Sequence, residues 1–409
     1  METQTHKVLI LTVGQTIEPL EFALAEHAPL RGVIFVASQS SYPVAGDLLR
    51  QYGGQFSHHT LLIGDHEDLN EAYRKGLEAL QKALEWEAQV VVADITGGTK
   101  TMVAGLTLAL SGKGVTFSYV GGAQRDAQGR VKSGSERLRV LEDPTYRYGL
   151  REWEGFRRAW NGCDYRAAQD FLSELLTRPL TPSEERFYTH LKGIAEAMQA
   201  WDLFRHKEAW QKLKVHLEPA LSIAEAWGHG AKVRVLQGLQ EAMSHLRQIL
   251  DKEGKPTRAL LADLLANAER RAARGRYDDA LARLYRVIEL AVEADFFEGV
   301  GLLVYDPKTF TEAYSDFAVW AERYNRASGL REALSVAAGL DSALGRNESL
   351  SQRLYADYTA GGKLGGLVAR RNESILAHGH RPVGEAHYIE LRDYLQGLGL
   401  EPAPAWPSF

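Results

Sequence analysis

A change of rhythm near Tyr148 restricts this chain more than any other feature. Before it, short runs rich in Val, Ile and Thr alternate with amphipathic stretches; after it, the period is helical throughout. The segments KVLILTVG (7–14), GVIFVAS (32–38), HTLLIG (59–64), VVVADITGG (90–98) and VTFSYVGG (115–122) read as strands, being short, β-branched and closed by Gly or Ser. DLNEAYRKGLEALQKALEW (68–86) and the stretch opening at Thr101 read as helices between them. Strands apolar on both faces and separated by helices bury both faces of a parallel sheet. The expectation is therefore an α/β Rossmann-like N-terminal domain, residues 1–145, ending near Asp143-Pro144.

Beyond it, FRRAWNGCDYRAAQDFLSELL (156–176), AMQAWDLFRHKEAWQKL (197–213) and AERRAARGRYDDALARLYRVIEL (268–290) vary one helix-turn-helix theme. Their irregular spacing indicates separate helical hairpins and not a repeat array. The polar run DKEGKPT (251–257) is the natural break between an all-α middle segment, 146–255, and an all-α C-terminal domain, 256–409.

The charge balance limits the partners. With 48 Lys+Arg against 53 Asp+Glu, the net charge of −5 gives no global basic field, so a polyanion must be held by a local cluster. A single cysteine, Cys163, excludes an internal disulfide and a Cys-rich zinc module, and suits a reducing compartment. Placed near a helix turn, it reads as a small structural residue. The apolar run Val8 to Val13 is too short for a signal sequence or a membrane span. A cytoplasmic protein without membrane contact, metal or cofactor is expected.

Ligands on open α/β sheets bind beyond the carboxyl ends of the strands. Two loops at that end stand out, Gly14-Gln15-Thr16 and Thr96-Gly97-Gly98-Thr99-Lys100. Glycines let backbone approach a ligand, hydroxyls and a helix N-terminus donate hydrogen bonds, and Lys100 adds charge, a combination suited to phosphate. A P-loop is excluded because Thr99 precedes Lys100 and Asp94 stands at its first glycine position, and GxGxxG fails because the first loop holds only Gly14. Either loop alone could be an ordinary tight turn; two at one end of a sheet are harder to read that way.

In GGKLGGLVARRNESILAHGHRP (361–382), Leu364, Leu367, Val368, Ile375 and Leu376 form an apolar helical face. Arg371 and His378, seven residues apart, fall nearly two turns apart on one face, with Asn372 adjacent. Arginine can neutralise a phosphate and histidine can move a proton. The pair suits RNA cleavage by the substrate's own 2′-OH, a reaction closed to DNA. RNESL at 346–350 nearly repeats the start of this motif, but Arg353 stands where the histidine would be. That first copy reads as a polar turn or helix surface.

Together, VGQT (13–16), DITGGTKTM (94–102) and RNESILAH (371–378) resemble the ancillary ribonucleases of type III CRISPR systems, in which a CARF sensor domain precedes a HEPN nuclease domain. GRYDDALARLYRVIEL (275–290) is similar to the helix that precedes the nuclease motif there. The resemblance implies a homodimer whose paired CARF domains bind one cyclic oligoadenylate, with the tetra-adenylate ring as the expected form, and whose paired HEPN domains cut single-stranded RNA without metal. It makes Arg371, Asn372 and His378 catalytic, and Gly14, Gln15, Thr16, Thr96, Gly97, Gly98, Thr99 and Lys100 ligand-binding. Stable DNA binding is not expected. The alternatives are a Rossmann-type nucleotide enzyme acting at Lys100 with a helical dimerisation domain, or a nucleotide-sensing transcriptional regulator. No three-helix DNA-reading unit supports the regulator.

Overall fold

The computed structural model describes residues 6–124, 134–310, 312–359, 361–372, 380, 382 and 384–409, with the side chains of 312, 313, 371 and 372 excepted. The chain divides into two compact units, Met1–Arg151 and Glu152–Phe409.

The first unit runs β1 (Lys7–Thr12), α1 (Glu18–His27), β2 (Gly32–Ser38), α2 (Tyr42–Tyr52), β3 (Ser57–Ile63), α3 (Leu69–Glu85), β4 (Val90–Asp94), α4 (Lys100–Leu110), β5 (Thr116–Gly122), β6 (Glu136–Leu141) and a short α5 (Pro144–Arg147). The sheet order is β3-β2-β1-β4-β5-β6. The first five strands pair in parallel, Leu9 facing Val33 on one side of β1 and Val92 on the other. The central strands β1, β2 and β4 bury both faces. Val8, Ile10, Ile34 and Val36 pack against α3 and α4 through Ala72, Ala79 and Leu106, while Leu9, Leu11, Val33 and Phe35 pack against α1 and α2 through Leu20, Ala23 and Leu48.

A parallel sheet was expected from the sequence; five strands are parallel, but the sheet is not wholly so. β6 pairs with β5 antiparallel, Tyr119 facing Arg139. Its sequence, ERLRVL, is charged and largely exposed because it closes an edge, where lysines, arginines and acids discourage pairing with another chain. Buried-strand patterning could not reveal it.

The second unit is helical: α6 (Leu150–Asn161), α7 (Tyr165–Leu175), α8 (Pro182–Asp202), α9 (His206–Ala226), α10 (Gly230–Asp251), α11 (Arg258–Ala273), α12 (Tyr277–Val300), α13 (Ala318–Asn325), α14 (Leu330–Ala343), α15 (Leu350–Thr359), α16 (Lys363–Asn372) and α17 (Glu385–Gly397), with two 3-10 turns, Pro307–Thr309 and Glu312–Phe317, before α13. The three hairpins read from the sequence are α6/α7, α8/α9 and α11/α12. The first turns at Cys163, whose φ of 55° is left-handed, and Asp164 then caps α7 by accepting the Ala167 N–H at 3.2 Å. No helix among the described residues is long and apolar enough to cross a membrane.

One core gathers α6 to α10 around Phe156, Trp160, Phe187 and Trp201; another gathers α11, α12 and α14 to α17 around Leu284, Ile288, Leu364 and Leu391. Two devices join them. Asp202, buried at the end of α8, accepts Asn267 Nδ2 and Arg270 Nε from α11, each at 2.9 Å, and pairs with Arg271 at 2.6 Å. The C-terminal segment then crosses back: Trp406 lies on the Arg270 guanidinium at 3.7 Å, the Pro407 carbonyl accepts the Trp160 indole N–H at 2.9 Å, and the Phe409 ring packs on Trp153, Phe156 and Trp160.

Arg346 is not the solvated surface residue that the sequence suggested. Its guanidinium pairs with Asp295 at 2.8 Å and with the buried Asp341 at 2.9 Å. Removing one partner of such a pair leaves a carboxylate without compensation, which costs about 3–5 kcal/mol in full burial. Because the Arg346 side chain retains 22% exposure, Arg346→Ala should lower unfolding free energy by about 2 kcal/mol. Chemical denaturation of the two proteins reads this, and an unchanged midpoint would show the pair to be idle.

Candidate functional site

The sheet order reverses at β1 and β4: β1 leads outward to β2, β4 to β5. Such a reversal is the usual ligand position in open α/β sheets. Both glycine loops singled out from the sequence lie at this reversal, at the carboxyl ends of β1 and β4. Gly14 follows β1, and Gly97 and Gly98 follow β4, in backbone contact with it. A Cβ on Gly97 would collide with the Thr12 carbonyl oxygen and lie 2.6 Å from the Gly14 nitrogen; one on Gly14 would lie 3.1 Å from the Gly98 nitrogen. Gly98 has φ of +83°, which side chains rarely adopt.

The two threonines turn inward. Thr96 Oγ1 accepts the Val120 N–H at 2.8 Å, fixing the loop to β5. Thr99 Oγ1 accepts the Met102 N–H at 3.2 Å as the cap of α4, and donates to the His66 carbonyl at 2.7 Å. What remains open is Gln15, Thr16 and Lys100, all exposed. Lys100 makes no hydrogen bond or ion pair among the described residues. It also opens a helix with no acid in its first turn, whereas α1 carries Glu18 and Glu21 in its own. The helix dipole therefore favours an anion at α4 and not at α1.

Two features escaped the sequence reading. Gln15 Nε2 donates to Ser40 Oγ at 3.2 Å, and Ser40 lies within hydrogen-bond reach of Ser38 Oγ at 3.0 Å. The SQSS run after β2 thus adds hydroxyls beside the first glycine loop, a polar cluster at a strand's carboxyl end that could have been noticed by position. The second feature is an anchor under the β4 loop. Asp94, fully buried, accepts the Thr96 N–H at 3.1 Å through Oδ1 and the Ser118 hydroxyl at 2.7 Å through Oδ2. Ser118 Oγ in turn lies 2.9 Å from His27 Nε2. Since Ser118 spends its proton on Asp94, the imidazole is assigned the tautomer that donates from Nε2.

Burial pushes the Asp94 carboxyl above the usual carboxylate range and holds His27 below the usual histidine value. Burial depresses His190, His216 and His245 as well. A histidine whose folded pKa is lowered contributes stability above its unfolded value of about 6.5 and loses it as pH falls through the folded one. Asp94 and Glu269, both raised by burial, act in the opposite sense, but as two groups against four. Thermal unfolding should therefore move to lower temperature between pH 7.5 and pH 5.5, and His27→Gln should remove part of that dependence. A flat profile would mean that these imidazoles are solvated in the native state.

The other candidate residues lie in the second unit. Leu364, Leu367 and Val368 on α16 are buried against the core, as the apolar face requires, while Ile375 and Leu376 of that face lie outside the described residues. Arg371 and Asn372 close α16 in the backbone, their side chains lying outside the described residues, and His378 also lies outside them. Arg370, one residue earlier, pairs with Glu390 of α17 at 2.5 Å.

Known proteins add the following. Residues 249–400 match the family model of the Csm6 HEPN domain, and residues 148–256 match that of the Csm6 6H domain. Among solved structures, the chain is similar to Enterococcus italicus Csm6 bound to cyclic hexa-2′-fluoro-hexa-dAMP, at 12% identity and a TM-score of 0.45, over 97% of this chain and 93% of that one. A second likeness is to Can2 from Sulfobacillus thermosulfidooxidans in complex with cyclic tetra-adenylate, at 14% identity and a TM-score of 0.26, over 50% of this chain and 68% of that one. A third is to a type III CRISPR defence DNA nuclease activated by cyclic oligoadenylate, at 20% identity and a TM-score of 0.27, over 50% of this chain and 34% of that one. No match was found among curated proteins.

Proposed function

The chain belongs to the Csm6 family, type III CRISPR ancillary ribonucleases with a CARF and a HEPN domain, its matches spanning residues 148–400, and from that premise we propose a cytoplasmic, metal-independent endoribonuclease switched on by a cyclic oligoadenylate. The sensor is residues 1–145, a helical segment 146–255 follows, and the nuclease is 256–409. The observation that carries the nuclease half is that the Arg371 to His378 motif falls inside the HEPN match.

In the proposed reaction the 2′-oxygen of single-stranded RNA attacks the adjacent phosphorus and loses its proton. The bond to the 5′-oxygen breaks, giving a 2′,3′-cyclic phosphate and a 5′-hydroxyl. His378 moves the proton, and Arg371 offsets charge on the phosphoryl oxygens, with Asn372 orienting the strand. One copy supplies a single histidine. An isologous dimer brings two histidines and two arginines to one phosphate, so the active form is a homodimer.

The activator, with the tetra-adenylate ring preferred, seats at the β1/β4 reversal. Gly14, Gly97 and Gly98 admit its backbone, Gln15 and Thr16 offer polar contacts, Thr96 and Thr99 hold the loop, and Lys100 meets a phosphate. A hydrogen bond to a charged group contributes about 1.5–3 kcal/mol, and exposure brings Lys100 to the lower end. Lys100→Ala should therefore weaken activator binding about tenfold, tenfold being about 1.4 kcal/mol. Titration of labelled cyclic tetra-adenylate measures it, and unchanged affinity would remove Lys100 from the site.

A further inference from the structure

The geometry points to a nucleobase pocket for the RNA substrate beside the nuclease helix, formed by Tyr285, Tyr355 and Tyr358 with Ser335, Arg331 and Val368. This inference rests on the ribonuclease reading above. The cavity holds about 420 Å³, within the usual range for small-ligand sites. Four helices supply its walls: α12 gives Tyr285, α14 gives Arg331 and Ser335, α15 gives Tyr355 and Tyr358, and α16 gives Val368.

Composition separates this cavity from a packing gap. The core residues Leu330 and Val368 form the floor of the cavity, whereas Tyr285, Tyr355 and Tyr358 are only half-buried at the margin of that core. Tyr355 and Tyr358 are three residues apart and so share a helix face. Aromatic faces stack on any base, which is how proteins hold single-stranded nucleic acid without a base-pairing partner. Ser335 adds a hydroxyl able to exchange hydrogen bonds with a base edge. At the rim Arg331 is exposed and makes no ion pair among the described residues, so it is free to meet a backbone phosphate. Its neighbour Glu332 is already committed, accepting the Ser328 N–H and hydroxyl at 2.8 Å each.

Position ties the pocket to the reaction. Val368 lies in its floor, and Arg371 follows three residues later, about 4.5 Å further along the same helix. A base seated against the tyrosines therefore belongs to a nucleotide close to the phosphate that Arg371 would meet. Base preference then arises here and not at the cleaved bond.

The experiment compares the parent with Tyr358→Ala and Tyr358→Phe, each saturated with cyclic tetra-adenylate. Two substrates are used: one RNA, and the same RNA made abasic at the nucleotides flanking its cleavage site. Tyr358→Ala should lower kcat/KM about tenfold on intact RNA, mostly through KM, and leave the abasic substrate unaffected; Tyr358→Phe should match the parent on both. Equal losses on both substrates, or none on either, would overturn the pocket. If the parent cuts no RNA, the ribonuclease reading fails instead. The pocket is then read by fluorescence anisotropy of the intact RNA, with binding about tenfold weaker in Tyr358→Ala as the expected result and equal binding as the contrary one.

Discussion

His378→Ala should cut RNA about 10² to 10⁴ times more slowly than the parent chain, the loss typical of removing one proton-transfer group. The activator should bind it unchanged, since the phosphate-type loops belong to a different compact unit. Arg371→Ala should fall in the same range, because the charge it offsets develops only as the 2′-oxygen attacks. Neither rate should depend on magnesium or EDTA, since the nucleophile and the leaving group both belong to the RNA. Cleavage of a labelled oligoribonucleotide, with a 2′-deoxy substitution at the cut site as control, reads all three expectations. Abolition by EDTA, or an active His378→Ala, would end the 2′-OH mechanism.

Gly97→Ala should have the largest effect on the sensor. A Cβ at that position meets backbone that cannot swing aside, the Thr12 carbonyl at the end of β1 and the Gly14 nitrogen of the loop that follows. Overpacking costs about 1–3 kcal/mol, and two close contacts with backbone argue for the upper end. The loops must part to accommodate the methyl. At about 3 kcal/mol the activator concentration for half-maximal cleavage rises by about two orders of magnitude. The maximal rate at saturation should survive, because an activator shifts an equilibrium only by its differential affinity. Gly54→Ala is the matched control, since a Cβ there meets nothing within 4 Å. Equal activation curves for Gly97→Ala and the parent would mean that the loop contact does not shape the ligand site.

Much of the fold was legible because its signals are local. Val8 to Leu11 and Val33 to Val36 are apolar on both faces, which only a covered sheet explains, and the helical hairpins announce themselves by turns such as Asn161-Gly162-Cys163-Asp164. β6 was not legible, since Glu136, Arg137 and Arg139 carry the charges of an exposed edge and no core pattern. Trp406 and Phe409 were missed for a different reason. Their segment has no period, and their burial depends on helices far away in the chain. Arg346 shows the converse error: a polar motif copy read as surface proves to be an ion-pair hub, because burial of charge is a tertiary property.

The site divides along the same line. The positions of Gly14, Gly97, Gly98 and Lys100 follow from strand ends and glycine chemistry, both readable in sequence. That Thr96 and Thr99 spend their hydroxyls on Val120, Met102 and His66 follows only from the folded loop. So does the role of Asp94, whose side chain looks like an ordinary strand-end carboxylate until Ser118 and His27 are placed beside it.

The separation of sensing from cutting is tested most directly by measuring labelled cyclic tetra-adenylate binding and RNA cleavage side by side on Lys100→Ala and His378→Ala. Lys100→Ala should bind the activator about tenfold more weakly and still cut RNA once saturated, while His378→Ala should bind like the parent and leave RNA intact. Parental binding by Lys100→Ala, or loss of binding by His378→Ala, would contradict the assignment of these two roles to these two sites.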